Sequence, residues 1–260
     1  MTSSTPPGSP QGPPPPGTSY ARTSPNLFRG HTEVVIGKVI IALNAIVFVA
    51  MMIGGAGATG QGGAVYENLV LWGPFVVQGE WWRLITGAFM HAGVVHIGSN
   101  MLLLWFLAQE MEAPLGREQF SALYAVSVMG GSLGVMVLSP ISPTLGASGG
   151  VFGLMGALVV LQLRAKQNPW NSGIGGLVVL NLILTFAVPG ISAGGHLGGL
   201  LAGALGGAIV EPLPWGRANP KVRAAIIVVI ALALGVLAVV AAKALVPGAW
   251  DRELLSRTGG

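Results

Sequence analysis

Between residues 39 and 246 the chain passes through seven apolar segments, and all but a shorter fifth are close to the roughly 20 residues that cross a ~30 Å hydrocarbon core. They run over 39–58, 91–108, 120–138, 145–163, 174–188, 191–210 and 224–246. Lipid offers backbone N–H and C=O groups no partner, so segments of this length read as helices that satisfy their own hydrogen bonds. Composition agrees with a membrane setting. Only 8% of residues are charged and 52% are hydrophobic, with a mean hydropathy of +0.70, whereas about a quarter of a soluble domain is charged. The 41 glycines fit a bundle whose helices approach closely through small residues. The fold class is therefore all-α and polytopic, with the lipid bilayer as its first partner. The lack of cysteine excludes disulfides, thiolate catalysis and Cys-ligated metal centres, and the scattered basic residues, net +4, make no nucleic-acid footprint.

The stretch 1–37 opens with eight prolines in its first 26 residues and has little apolar surface to bury, so a disordered, cytoplasmic tail is expected. It has neither the apolar core of a secretory signal nor the arginine-rich amphipathic pattern of a presequence. With the tail inside, nine Lys and Arg residues fall on the cytoplasmic side and four outside, which supports an N-terminus in the cytoplasm. Seven spans then place 248–260 outside as a second tail. The connection 59–90 carries Tyr66, Trp72, Phe75, Trp81 and Trp82, and is expected as a loop in the outer headgroup region. A prokaryotic plasma membrane fits this layout.

Polar groups within spans are expensive and each is a functional candidate. Of four histidines, His91, His96 and His196 fall within or at the mouths of the second and sixth segments. Segments two, four and six all run from outside to inside, and their polar residues gather in the outer half: His91, His96 and Asn100 in the second, Ser148 at the start of the fourth, His196 early in the sixth. His96 and Asn100 are four apart and share a face. Ser148 lies in Gly146-Ala147-Ser148-Gly149-Gly150, a G-x-S-x-G match that taken alone reads as close packing, since Gly149 and Gly153 form a small-xxx-small pair.

The only aspartate is Asp251, far in sequence from every span, and Glu80 and Glu112 lie where neither can orient a base near the outer leaflet. A Ser–His–Asp triad is thus replaced by a dyad: Ser148 as nucleophile, His196 as general base and then as acid to the leaving amine. An oxyanion needs donors, and the Ser148 N–H at a helix start, together with Asn100 and His96, can supply them.

These residues together resemble the rhomboid intramembrane serine proteases. The likeness covers about 80–210: Glu80-Trp81-Trp82-Arg83 with Phe89-Met90-His91, the His-x4-His-x3-Asn spacing of His91, His96 and Asn100, the Gly146-Ala147-Ser148-Gly149 nucleophile motif, and Gly195-His196-Leu197-Gly198-Gly199 with Gly203. The resemblance implies a six-helix transmembrane bundle over 38–211, followed by a linker and an extra seventh helix over 212–247. It implies Ser148 and His196 as the catalytic pair, and His96, Asn100 and the Ser148 N–H as the oxyanion hole. Phe152 would be the aromatic stacked on the imidazole, and His91 and Gly146 supporting residues. Gly199 and Gly203 lie on the stripe of His196 and would let the sixth helix approach the fourth. Glu112 and Gly116 resemble a structural element. The expected substrates are transmembrane segments of other proteins, cut near the outer leaflet after local unwinding, with no cofactor and no metal.

Three rivals carry different chemistry. A non-catalytic relative that binds membrane clients would usually lack the serine or histidine. A metalloprotease could draw on His91, His96 and His196, but the H-E-x-x-H spacing is missing. A transporter would show inverted repeats and midplane charges, which are not evident.

Overall fold

A computed structural model describes residues 33–57, 60–210 and 219–258, with side chains described to residue 249. Most of the proline-rich stretch and the side chains of the C-terminal tail lie outside these residues. The described residues are helical, with no strand; one isolated bridge pairs Leu71 with Thr144.

Seven principal helices follow the apolar segments, but not with the expected boundaries. α1 spans Ile36–Ile53. The connection expected as a loop is instead folded into three short helices, α2 (Gly63–Leu69), α3 (Gly73–Val77) and α4 (Arg83–Thr86), and a 3-10 turn, Gly87–Phe89. Then come α5 (Val94–Leu115), α6 (Arg117–Leu138), α7 (Ser148–Arg164), α8 (Ile174–Ala187), α9 (Ala193–Val210) and α10 (Pro220–Thr258). Among the described residues, α1, α6, α9 and the Pro220–Ala249 part of α10 are each long and apolar enough to cross a membrane. The pair Arg83–Phe89 and Val94–Leu115, bent by 97°, passes the same test only when the two are taken together as one broken span. α7 and α8, with 17 and 14 residues, are shorter than their apolar segments indicate, because glycine and proline turns consume the ends. α10 continues past Val246 to Thr258 where a tail was expected.

The short helices between α1 and α5 are organised by one cation. Arg83 is 2% exposed; its Nε donates to Glu80 Oε2 at 2.7 Å, and its two terminal nitrogens donate to the carbonyls of Val70 and Glu67 at 3.0 and 2.7 Å. Its guanidinium carbon sits 4.2 Å from the centre of the Phe75 ring. A buried charge is tolerated only when its donors are matched in this way. The sequence places the two tryptophans and Arg83 together, but not the carbonyls that they fold around.

α6, α7 and α9 form the centre. Their contacts are glycine against backbone: a Cβ on Gly199 would strike the Gly149 carbonyl, one on Gly203 the Gly153 carbonyl, and one on Gly198 the Gly130 carbonyl. This is the close approach expected of Gly199 and Gly203, and it brings the first turn of α7 against the first turns of α9. α10 lies along α6, where Ala238, Ala242 and Val246 join Val135, Met136 and Leu71 in a buried cluster. α1 is fastened to the far end of α5 by Glu112, whose carboxylate accepts from the N–H groups of Val35, Ile36 and Gly37 at 2.8, 2.8 and 2.9 Å. A carboxylate on the free donors of a helix start matches both hydrogen bonding and dipole.

Candidate active site

Ser148 is the first residue of α7, where N–H groups have no intrahelical acceptor. The turn before it depends on Gly146, whose φ of +133° suits glycine and whose N–H donates to the Gly87 carbonyl at 2.9 Å. Gly146 also leaves room for His96: a Cβ there would come within 2.9 Å of both Cε1 and Nε2 of that ring and 3.7 Å of Ser148 Oγ. The imidazole of His96 thus lies across the turn that precedes Ser148.

His96 Nδ1 accepts from the Ala92 N–H at 3.2 Å, so in the neutral ring the proton is on Nε2, the nitrogen over Gly146. His91 is fully buried and meets His96 edge-on, with centroids 5.0 Å apart; its Nε2 lies 3.5 Å from the Ala147 N. His91 precedes α5 rather than lying within it, as the sequence segment 91–108 implied, because the chain turns at Gly93 with φ +108°. Asn100 is buried and spends one amide hydrogen on the His96 carbonyl at 2.9 Å.

His196, in the first turn of α9, is 8% exposed. Phe152, one turn beyond Ser148, stacks on it with centroids 3.9 Å apart and planes 17° from parallel. Its Nδ1 is 2.7 Å from Thr185 Oγ1 on α8. Thr185 is a contact that sequence reading missed. The available signal is that Asn181 and Thr185 are the only polar side chains of α8 and, four apart, share a face.

His96, Asn100, Ser148, Phe152 and His196 all line one cavity of about 630 Å³, along with Gly146 and Asn181. Tyr66 stands in the same wall on α2, its hydroxyl pushed above the ordinary tyrosine range by burial and therefore neutral. Among the described residues no hydrogen bond joins Ser148 Oγ to His196; such contacts are often open before substrate arrives. Nor do any three His, Asp or Glu side chains there group as ligands for a metal ion. Gly199 and Gly203 hold α9 against α7.

A hydroxyl, a buried imidazole and several N–H donors facing one cavity in an apolar helical bundle are the equipment of a membrane-embedded hydrolase of the serine class. The Rhomboid domain model matches residues 78–212, from the end of α3 past the end of α9, and the chain belongs to the rhomboid family. It is accordingly an integral, multi-pass membrane protein of a protease family. It is 34% identical to rhomboid protease GluP of Bacillus subtilis over 204 residues, 76% of this chain and 39% of GluP. It is 33% identical to RHOMBOID-like protein 5 of Arabidopsis thaliana over 156 residues, 56% of this chain and 50% of that one. Rhomboid-related protein 3 of Homo sapiens is 36% identical over 81 residues, 31% of this chain and 20% of its own. The chain spans half or less of the length of these relatives.

Proposed function

We propose that this protein is an intramembrane serine endopeptidase that cuts transmembrane segments of other proteins near the outer leaflet by a Ser148–His196 dyad. The observation that carries the reading is the convergence of Ser148 and His196 on one cavity, with Phe152 stacked on the imidazole and the glycine seam holding α7 to α9.

In the reaction, Ser148 Oγ attacks the scissile carbonyl carbon while His196 Nε2 takes the hydroxyl proton. The negative oxygen is met by the Ser148 N–H, by His96 Nε2–H, whose proton is set by the Ala92 contact, and by the Asn100 hydrogen not used on the His96 carbonyl. The C–N bond breaks as His196 gives its proton to the amine. Water entering the cavity, activated by the same imidazole, then hydrolyses the Ser148 ester.

The unit that carries this chemistry is 38–211, a six-helix bundle of α1 and α5–α9, with α10 as an added seventh span. The N-terminus is cytoplasmic, the C-terminus external, and the membrane a bacterial plasma membrane. The positive-inside count supports this orientation. A second reading, a client-binding relative that does not cut, is favoured by the open Ser148–His196 contact.

The two are separated by incubating a labelled transmembrane substrate in liposomes with wild type, Ser148→Ala and His196→Ala, with a chelator in a parallel reaction. Cleavage by wild type, lost in both variants and indifferent to chelator, is expected. Binding without cleavage by wild type selects the second reading, and Ser148→Ala cutting at the wild-type rate removes the dyad.

A further inference from the structure

The geometry points to Thr185 as the positioning residue that stands where a serine hydrolase would ordinarily hold a carboxylate: its hydroxyl oxygen accepts the Nδ1–H of His196 and fixes the tautomer of the base. The inference rests on the protease reading above and deepens it.

Proton accounting carries the argument. Thr185 Oγ1 lies 2.7 Å from the Asn181 carbonyl oxygen and 2.7 Å from His196 Nδ1. A hydroxyl has one hydrogen and two lone pairs. Two oxygens at 2.7 Å without a hydrogen between them repel, and a carbonyl can only accept, so the hydroxyl hydrogen belongs to Asn181. What remains toward His196 is a lone pair. Nδ1 must then carry the ring hydrogen, and the neutral imidazole presents an unprotonated Nε2. That is the form a general base requires. Once His196 has taken the serine proton, both ring nitrogens bear hydrogens, and the Nδ1–H still has its acceptor.

The surroundings make the contact deliberate. Thr185 is 4% exposed, and Ile174 and Thr185 are the buried residues of α8. The opposite face of that helix shows apolar side chains outward, Leu180, Ile183 and Phe186 among them. The second face of the imidazole's environment is the Phe152 ring, which sets the plane but offers no acceptor. A threonine orients the ring without placing a charge in a low-dielectric bundle, where an ionised carboxylate would be costly. It also answers how a chain whose only aspartate is Asp251 can hold its base in one tautomer.

The test uses the full-length protein in detergent micelles, labelled with ¹⁵N-histidine, with His196→Gln identifying the His196 signals by difference. The wild type is expected to carry its proton on Nδ1, Thr185→Val to shift population to Nε2–H, and Thr185→Ser to return to the wild-type pattern. In parallel, kcat for a labelled transmembrane peptide and the rate at which a fluorophosphonate labels Ser148 are expected to fall about tenfold in Thr185→Val, as the loss of one hydrogen bond implies. KM should hold, and Thr185→Ser should recover most of the rate. A wild-type His196 protonated on Nε2 overturns the proposal, and that measurement needs no variant at Thr185 to fold. So does a Thr185→Val protein with wild-type kcat and labelling rate. Should the wild type show the Nδ1–H signal yet neither cut nor label, the protease reading falls while the positioning contact stands.

Discussion

Phe152 lies nearly flat on His196, 3.9 Å between ring centres, and both rings are almost wholly buried. The stack holds the imidazole in one plane, and an aromatic pair of this kind is worth about 0.5–1.5 kcal/mol beyond its buried area. Phe152→Tyr keeps the ring and should retain most of kcat. Phe152→Leu should lower kcat several-fold with little change in KM, measured by steady-state cleavage in detergent. Equal rates in the three proteins would separate the stack from catalysis.

Asn100 and His96 line the cavity with Ser148, and each keeps a donor hydrogen not used in the bonds described above. Loss of a single oxyanion donor typically costs about 10²–10³ in rate. Asn100→Ala is expected to lose roughly a hundredfold in kcat while its melting temperature moves little. Thermal unfolding followed by scattering and single-turnover cleavage are the paired measurements, and an unaltered kcat removes Asn100 from the oxyanion assignment.

Gly203 and Gly176 make a matched pair for testing the central seam. A Cβ on Gly203 runs into the Gly153 backbone, whereas one on Gly176 meets nothing within 4 Å. Overpacking of this kind costs about 1–3 kcal/mol, and backbone cannot yield as a side chain does. Gly203→Ala should melt earlier and lose activity in step, and Gly176→Ala should melt at or above wild type, since alanine favours the helix.

The polar residues of the cavity were conspicuous in the sequence for a physical reason. An apolar background gives each intramembrane histidine or asparagine weight, and His96, Asn100, Ser148 and His196 do line one cavity. Thr185 carries a weaker signal, its shared face with Asn181 on an otherwise apolar α8. A span threonine can bond to the carbonyl four residues back, as this one does to Asn181, so its hydroxyl looks satisfied without any partner on another helix. The fold of 60–90 was hidden for a related reason. Arg83 is anchored by the carbonyls of Glu67 and Val70, and backbone acceptors leave no trace in residue identity. In the sequence Glu112 resembles a structural element, but its reach to the start of α1, 75 to 77 positions away, is a fact of tertiary packing alone.

The uneven lengths of the helices have an outcome for the surrounding lipid. At 1.5 Å per residue, the 14 residues of α8 reach only about 21 Å, while the 30 residues of Pro220–Ala249 reach about 45 Å. A bilayer of uniform height matches both flanks only if α10 tilts or its ends leave the hydrocarbon; an upright bundle would instead need shortened acyl chains beside α8. The shortened flank is the one where Asn181, Leu184 and Val188 border the cavity. On the proposed protease function, a substrate helix arriving at this flank would be longer than α8, and its surplus turn would meet water, where its internal hydrogen bonds can be exchanged and its backbone opened.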